Sequence, residues 1–597
     1  MTDLNKNNLA FSNSPYLRQH KDNPIHWQEW NSQVLKMAAE SGKIIFVSVG
    51  YATCHWCHVM ASEAFSNQEI ADYLNENFVS IKVDREQRPD IDHYLMSYIQ
   101  AISGQGGWPL NAFLSSKLKP FFATTYLPVE SRYNMLPFLQ ILQKLKQHFE
   151  TQSDTIPGFK LQTGQQYFSE EASIISNLKQ KLRTKQGPQF PQHNSLLLLL
   201  SYYAETGDDE IKQPLIEILD SMAKRGLHDH LQGGFYRYCV DTDWTIPHFE
   251  KMLYDQALHL WVYSTAYKVL QKEEYRKIAE KIVICLQDTF QTGDLFFSAH
   301  DADTRHSEGF TYLWDQKELQ EVLTSEEYRQ FQQVYELKTN FENKIHLIKK
   351  KNFFLPQIEK KLLQIRVCRE QPFTDRKLLT NWNALLGIAL INASRYLQRN
   401  DLKEKALKLY QELIRKHYIN DTLYHSSFEA KLQKDEFLED YALLLLFVSY
   451  LHEESADYKP IMNRIRTKVL AFKKYDWMSN RTEDFQTVPA DSFDQPTPSS
   501  VSLAEMALLR VSILLNENYT PARYKQASAF DFHNLMAFIS LGNWHIIQSP
   551  EIIHWENLPM NTIQVHSDRI QRCYKGACNQ YRSLDDMLKI LKTYYRK

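Results

Sequence analysis

The sequence predicts a multidomain protein: an α/β domain at the N terminus, followed by a larger, mainly α body whose helical hairpins close into an α/α toroid. Three observations carry this. Apolar, strand-like runs alternate with helix-patterned stretches up to about residue 150, pairs of helices recur beyond about residue 185, and the segments between those pairs are long and rich in aromatic and titratable residues. At 597 residues the chain is too long for one ordinary domain. The expected division is an α/β domain over 1–150, a helical linker over 151–185 and the toroid over 186–597.

The first strand-like run is 44–49. It leads into Cys54-His55-Trp56-Cys57-His58 and a helix-patterned stretch over 59–74. A Cys-x-x-Cys at a strand-to-helix junction places its first sulfur beside the free N–H groups that open the helix, and that field favours the reactive thiolate. Three chemistries share this spelling. Covalent haem would need export, and residues 1–15 are polar, with no charged segment followed by an apolar one. A closed zinc site needs a second ligand pair, and only the distant Cys573 and Cys578 could supply it. Two inert core cysteines fit poorly with the polar His55 and His58 around them. Dithiol–disulfide exchange is the reading preferred, with Cys54 attacking, Cys57 resolving, and His55, Trp56 and His58 tuning the thiolate.

The elements that follow agree with it. A strand-like run at 78–83 precedes a helical stretch over 92–102 and then Gly106-Gly107-Trp108-Pro109. Short strands at 110–114 and 121–126 and a closing helix over 136–149 complete the series. This order resembles the thioredoxin fold, in which a cis proline faces the dithiol, and Pro109 holds the matching position.

Composition narrows the function further. The 69 Lys and Arg nearly cancel the 71 Asp and Glu, which argues against nucleic acid or an anionic membrane as partner. The longest apolar run, 442–451, falls far short of the roughly twenty residues a bilayer requires. Only 17 glycines suggest a helix-rich body, and seven scattered cysteines without a secretory signal suggest a reducing, cytoplasmic setting. Cys239, Cys285 and Cys368 read as structural, Cys285 lying in an apolar run. Cys573 and Cys578 read evenly as ordinary cysteines or as a second redox or metal pair.

The expected helix pairs are 194–204 with 210–224, 255–270 with 273–290, 383–398 with 402–417, 440–452 with 458–473, and 502–515 with 520–538. Pairs of roughly 35 residues would also suit an open solenoid, but a solenoid has tight connections. Here the connections 226–254, 293–314, 421–439 and 477–500 are long, and a ring gathers them at one mouth. The first, with the residue that opens the next helix, holds Tyr236, Arg237, Trp244, His248, Glu250, Tyr254 and Asp255, a mixture of aromatic faces and charged groups suited to a sugar-like ligand. The same charges could equally tie the loop down through ion pairs. The second holds Asp301 and Asp303, either an acid/base or cation-binding pair or simple turn caps.

With these motifs in view, the chain resembles the spermatogenesis-associated protein 20 family of thioredoxin-domain-containing proteins, over nearly its whole length. The resemblance rests on Cys54-His55-Trp56-Cys57-His58-Val59-Met60, on Val83-Asp84-Arg85-Glu86, on Gly106-Gly107-Trp108-Pro109-Leu110, and on His248-Phe249-Glu250-Lys251-Met252-Leu253-Tyr254-Asp255. Asp301-Ala302-Asp303 and Leu438-Glu439-Asp440-Tyr441-Ala442 add to it. It implies a thioredoxin-like domain joined to a toroid similar to six-hairpin glycosidases and to sugar 2-epimerases, with no defined reaction. Departures fall in the toroid: Gln189 replaces a lysine before Phe190-Pro191, His300 precedes Asp301, Ala384 follows Trp382-Asn383, and Pro498-Ser499-Ser500-Val501-Ser502 lacks its asparagine.

Two functions follow as expectations. One is a thiol–disulfide oxidoreductase or redox sensor, with Cys54, Cys57 and Pro109 at its centre and a client protein, a thioredoxin-system reductant or a sugar-like molecule as partner. The other is a sugar epimerase or hydrolase drawing acid/base groups from His248, Glu250, Asp255, Asp301 and Asp303, under redox control; a non-catalytic scaffold stands behind both. Neither a cofactor nor a metal is expected in either.

Overall fold

Five strands build the N-terminal sheet: β1 (Gln28–Glu29), β2 (Ile44–Gly50), β3 (Phe78–Asp84), β4 (Leu110–Leu114) and β5 (Pro120–Thr124), in the order β1-β3-β2-β4-β5. These coordinates are a computed structural model, which describes residues 3–132, 135–152, 155–161, 187–521 and 531–594, with 176, 178 and 179. β1, β3 and β2 run parallel, β4 runs antiparallel to β2, and β5 antiparallel to β4. Every residue of β2 and β3 is buried, as strands covered on both faces must be.

The two-residue period of β2 divides its side chains between two cores. Ile45, Val47 and Val49 pack with helices α1 (Ser32–Ser41) and α4 (Pro89–Ser103), whose Val34, Ala38, Ile91 and Leu95 face them. Ile44 and Phe46 pack on the other face with helices α2 (His55–Ser62), α3 (Gln68–Asn77) and α5 (Phe138–Gln152). A parallel sheet flanked by helices, closed by an antiparallel pair and carrying Cys-x-x-Cys at the first residues of α2, is a thioredoxin-like arrangement.

The single helix expected over 59–74 is two. Glu63 leaves the helical region (φ −92°, ψ −88°), and Asn67 begins α3 by accepting a hydrogen bond from the Ile70 N–H. The helix also begins four residues earlier than expected, because the Cys54 sulfur serves as its cap, accepting from the Cys57 N–H at 3.2 Å. β5 ends at Thr124, not at 126, and the short β1 and α1 had no expected counterpart.

Beyond residue 187 lie helices α6 (His193–Thr206), α7 (Asp209–Lys224), α8 (Leu253–Leu270), α9 (Glu273–Cys285), α10 (Thr380–Leu397), α11 (Asn400–His417), α12 (Leu438–His452), α13 (Lys459–Leu470), α14 (Ser500–Leu514) and α15 (Asp531–Phe538). Packing closes a ring: α6 against α8, α8 against α10, α10 against α12, α12 against α14, α14 against α15, and α15 back on α6. Ring helices are apolar all round, as burial on every side demands; Leu253–Ala266 of α8 are all buried. Amphipathic α7, α9, α11 and α13 pack outside their ring partners. The expected fifth hairpin differs, since α15 completes the inner ring instead of forming an outer partner. The helical connection expected over 151–185 lies mostly outside the described residues.

Loops from the ring's mouth close on the sheet. Lys377 is fully buried and pairs with Asp84 at 2.6 Å, Glu86 at 2.8 Å and Asp375 at 3.2 Å. The ring nitrogen Nε2 of His425 lies 2.7 Å from the Glu86 carbonyl, and Arg88 pairs with both Asp90 and Asp484. Cys239 and Cys285 are buried as expected, whereas Cys368 is exposed, its thiol reaching only the Gln364 carbonyl. Cys573 and Cys578 are joined across a hairpin of the C-terminal sheet. No described helix is long and apolar enough to cross a membrane.

Candidate functional site

The first turn of α2 points Cys54 into a cavity of about 760 Å³ between the sheet domain and the toroid mouth. One wall comes from the dithiol side: Tyr51, Cys54, His55, Trp56 and the loop Gly106–Trp108. The other comes from the toroid, through Phe190–Ser195, Arg237, Tyr238, His248, Asp255 and Asp494–Pro496. The two centres that the sequence offered as alternatives therefore share one space.

Cys54 and Cys57 are joined as a disulfide. Cys54 is 3 % exposed and Cys57 1 %, with Cys57 behind the wall and Cys54 in it. The Trp108–Pro109 peptide is cis; Pro109 itself stands behind the cavity, whose lining there is Gly106, Gly107 and Trp108. Strand β2 reaches the dithiol at Gly50, where an added Cβ would meet the Cys57 sulfur at 2.7 Å and the Tyr16 hydroxyl.

His55 and His58 project from α2 onto the Asp301–Asp303 turn. His55 Nδ1 lies 2.9 Å from both Asp303 oxygens, and His58 Nδ1 lies 3.5 Å from Asp303 and 3.7 Å from Asp301. The hydrogen bond to Asp303 raises the His55 imidazole above its ordinary value. Burial works against a charged His58, but Asp303, Asp301 and the Ala52 carbonyl outweigh it and raise the group to about 9. Burial works against Asp303 too, yet the two imidazoles hold its carboxyl well below the usual range. Asp301, more deeply buried, is pushed up to about 7. Donor atoms of His58, Asp301 and Asp303 all lie within 4.8 Å of one another, a set that could take a divalent cation. The imidazolium–carboxylate pairs neutralise the same cluster without one.

A second network forms the toroid floor. Glu250, fully buried, accepts from the Tyr51 hydroxyl at 3.0 Å and from Arg237 Nη1 at 2.8 Å, and lies 3.2 Å from His248 Nε2; Arg237 also contacts the Tyr51 hydroxyl. Burial opposes its charge, but Arg237 and His248 prevail and hold the carboxylate at about 2. His248 turns its other nitrogen to Glu308 at 2.5 Å, and the two carboxylates together overcome burial and raise its imidazole well above the ordinary value. Burial pushes the Asp255 carboxyl well above its range, Arg237 opposing only in part.

The remaining candidates fall elsewhere. Tyr236 is 1 % exposed and packs with Phe249 and Tyr312 in an aromatic cluster, so as a ligand-contacting residue it is misplaced. Trp244 is buried and outside the lining, its backbone at φ +59°. Tyr254 lines a smaller neighbouring cavity with Trp382, Asn381 and Glu439. Sequence reasoning missed Tyr51, His193 and Asp494, and gave Glu308 of the second loop no role. Of the missed residues Tyr51 alone left a signal, since it stands three residues before Cys54 on the strand-to-helix loop.

Residues 6–166 match the family model Thioredox_DsbH, described as a protein of unknown function, DUF255. The chain is 29 % identical over 606 aligned positions to the uncharacterized protein B0495.5 of Caenorhabditis elegans, covering 87 % of this chain and 82 % of that one. It is 36 % identical to human spermatogenesis-associated protein 20 over 351 positions, which span 53 % of this chain and 44 % of the human protein. Among solved structures, the cellobiose 2-epimerase of Spirochaeta thermophila is similar over 60 % of this chain and 86 % of its own (10 % identity, TM-score 0.39). A family 76 glycoside hydrolase (mannosidase) of Bacteroides thetaiotaomicron is similar over 62 % and 98 % (9 % identity, TM-score 0.36).

Proposed function

For this homologue of the spermatogenesis-associated protein 20 proteins, we propose thiol–disulfide exchange carried out inside the shared cavity, the toroid mouth serving as the substrate-binding wall. The observation that carries the reading is that Cys54 lines one cavity with Arg237, His248 and Asp255.

In the reduced protein Cys54 is the attacking thiolate, favoured by the N–H groups at the start of α2. It attacks one sulfur of a bound disulfide, and the departing thiolate takes a proton from His55 Nε2, the nitrogen left over when Nδ1 holds Asp303. Cys57, buried behind Cys54, then attacks the Cys54 sulfur of that mixed disulfide, which forms the Cys54–Cys57 disulfide and releases the second thiol. Glu250 acts as an anchor for Arg237 and His248, since a carboxylate held at about 2 is a poor proton donor near neutral pH.

The test is iodoacetamide labelling against pH in the reduced Cys57→Ser protein, with mass spectrometry locating the modified sulfur. The expected result is fast labelling of Cys54 with an apparent pKa well below the roughly 8.5 of a free thiol. Slow labelling with an ordinary pKa, together with unchanged exchange by Cys54→Ser, would sink the reading and direct attention to sugar chemistry at Asp255.

A further inference from the structure

We propose that the substrate of this dithiol is a hydrophilic, low-molecular-weight disulfide bearing a carboxylate together with hydroxyl or ammonium groups, and not a protein disulfide. The proposal rests on the exchange reading above and specifies what enters the cavity.

Two independent features support it. The first is access. Trp56, Trp108 and the Gly106–Gly107 loop, the surface around the dithiol, face Phe190–Ser195, Tyr238, His248 and Asp494–Pro496 across the cavity. A folded protein would have to displace those toroid segments before its disulfide reached a residue 3 % exposed. The volume of about 760 Å³ falls within the roughly 300–1,000 Å³ of small-molecule sites.

The second is a set of buried polar atoms in the lining. Arg237 Nε, Asp255 Oδ2 and both ring nitrogens of His193 have no hydrogen-bond partner among the described residues, although these residues are 6 %, 2 % and 2 % exposed. A buried polar atom without a partner costs about 1–3 kcal/mol; these atoms carry almost no accessible surface in the cavity wall, so a ligand that supplies partners is met by a turn of the lining side chains. Arg237 offers an N–H to an acceptor such as a carboxylate. Asp255 and His193 offer partners to hydroxyl or ammonium donors. Aromatic faces at Trp56, Trp108, Phe190 and Tyr238 cover the carbon and sulfur parts.

The chemistry balances as follows. The Cys54 thiolate attacks R–S–S–R, the S–S bond breaks, and one R–S⁻ leaves and is protonated. Cys57 attacks the Cys54–S–R bond as a thiolate, forming the Cys54–Cys57 disulfide and releasing the second R–S⁻, which also takes up a proton. Two electrons pass from the protein dithiol to the substrate, and a dithiol reductant returns them for the next cycle.

The experiment uses the full-length protein, reduced with dithiothreitol and freed of it, and measures single-turnover oxidation of Cys54 and Cys57 by alkylation and mass spectrometry. Four probes are compared: cystine and glutathione disulfide, which carry carboxylate and ammonium groups, neutral hydroxyethyl disulfide, and insulin as a protein disulfide. The proposal expects one or both charged small disulfides to react at least tenfold faster than hydroxyethyl disulfide and at least a hundredfold faster than insulin. His193→Leu removes two unpartnered nitrogens at similar volume, so it should fold normally and narrow the charged-to-neutral ratio severalfold. Insulin reacting as fast as the small disulfides would overturn the size selection while leaving the exchange reading standing. Equal rates for charged and neutral disulfides would overturn the recognition. Oxidation by none of the four would overturn the exchange reading itself.

Discussion

At position 54 one sulfur does two jobs: it caps α2 by accepting the Cys57 N–H, and it forms part of the cavity wall. Around it, charge is arranged so that imidazoles are cationic and their carboxylate partners anionic. His58 is the clearest case, raised to about 9 despite its burial, chiefly by Asp303 and Asp301. A group whose folded pKa lies above its unfolded value of about 6.5 stabilises fully below that pH, and the contribution disappears as pH rises through about 9. The stability advantage of the wild type over His58→Asn should therefore be on the order of 2 kcal/mol at pH 6 and approach zero by pH 10, as read from urea unfolding at each pH. An advantage that grew with pH would contradict the imidazolium assignment.

At the level of elements, β2 and α2 act as a unit. The strand ends in Gly50, and the space its missing side chain leaves is taken by the Tyr16 hydroxyl and the Cys57 sulfur. A methyl group at Gly50 has no room unless α2 or Tyr16 moves, and overpacking of this sort costs about 1–3 kcal/mol. Gly50→Ala should lower the urea midpoint accordingly and slow closure of the Cys54–Cys57 disulfide, measured as oxidation of the reduced protein by glutathione disulfide. An unchanged closure rate would mean that the strand does not set the position of the dithiol. The split of the helix expected over 59–74 belongs to the same unit. Its apolar periodicity runs on through 62–67, while the backbone breaks at Glu63 and restarts with the Asn67 cap. A local polar cap of that kind overrides a periodic pattern.

For the whole molecule, the joint between sheet and toroid decides whether there is one site or two. Lys377 is its centre, fully buried against Asp84, Glu86 and Asp375. Burial has already pushed the Glu86 carboxyl up to about 7, with Lys377 opposing. Lys377→Met leaves three buried carboxylates without their cation, a change expected to cost about 3–5 kcal/mol. The loss should be largest at high pH and partly recovered as pH falls, because protonating Glu86 removes one of the stranded charges, and without the opposing Lys377 that protonation begins above the value of about 7 it has in the wild type. Urea unfolding across pH 5.5–8.5 tests this, with alkylation of reduced Cys54 as a second readout of whether the cavity has opened. A pH-independent loss would mean that packing, and not charge, holds the halves together.

What the sequence determined by itself was whatever depends on near neighbours in the chain. The run of β2, the Cys-x-x-Cys at a helix start, the proline ahead of β4 and the apolar ring helices α8, α10 and α12 are all written in local periodicity and spacing. The candidate residues His55, His58, His248, Glu250, Asp255, Asp301 and Asp303 were legible as polar groups in unusual surroundings, but not their pairing. His55 meets Asp303 across 248 positions, and Tyr51 meets Glu250 across 199. No local pattern encodes such distances, because the contact exists only when the toroid closes its ring and lays its loops on the sheet. Tertiary structure alone therefore joined the dithiol and the toroid mouth into one cavity, placed Tyr236 in a core instead of a wall, and brought His193 to the site. The physical reason is that charges and cavities are properties of assembled surfaces, whereas helices and strands follow from the side-chain period of a single segment.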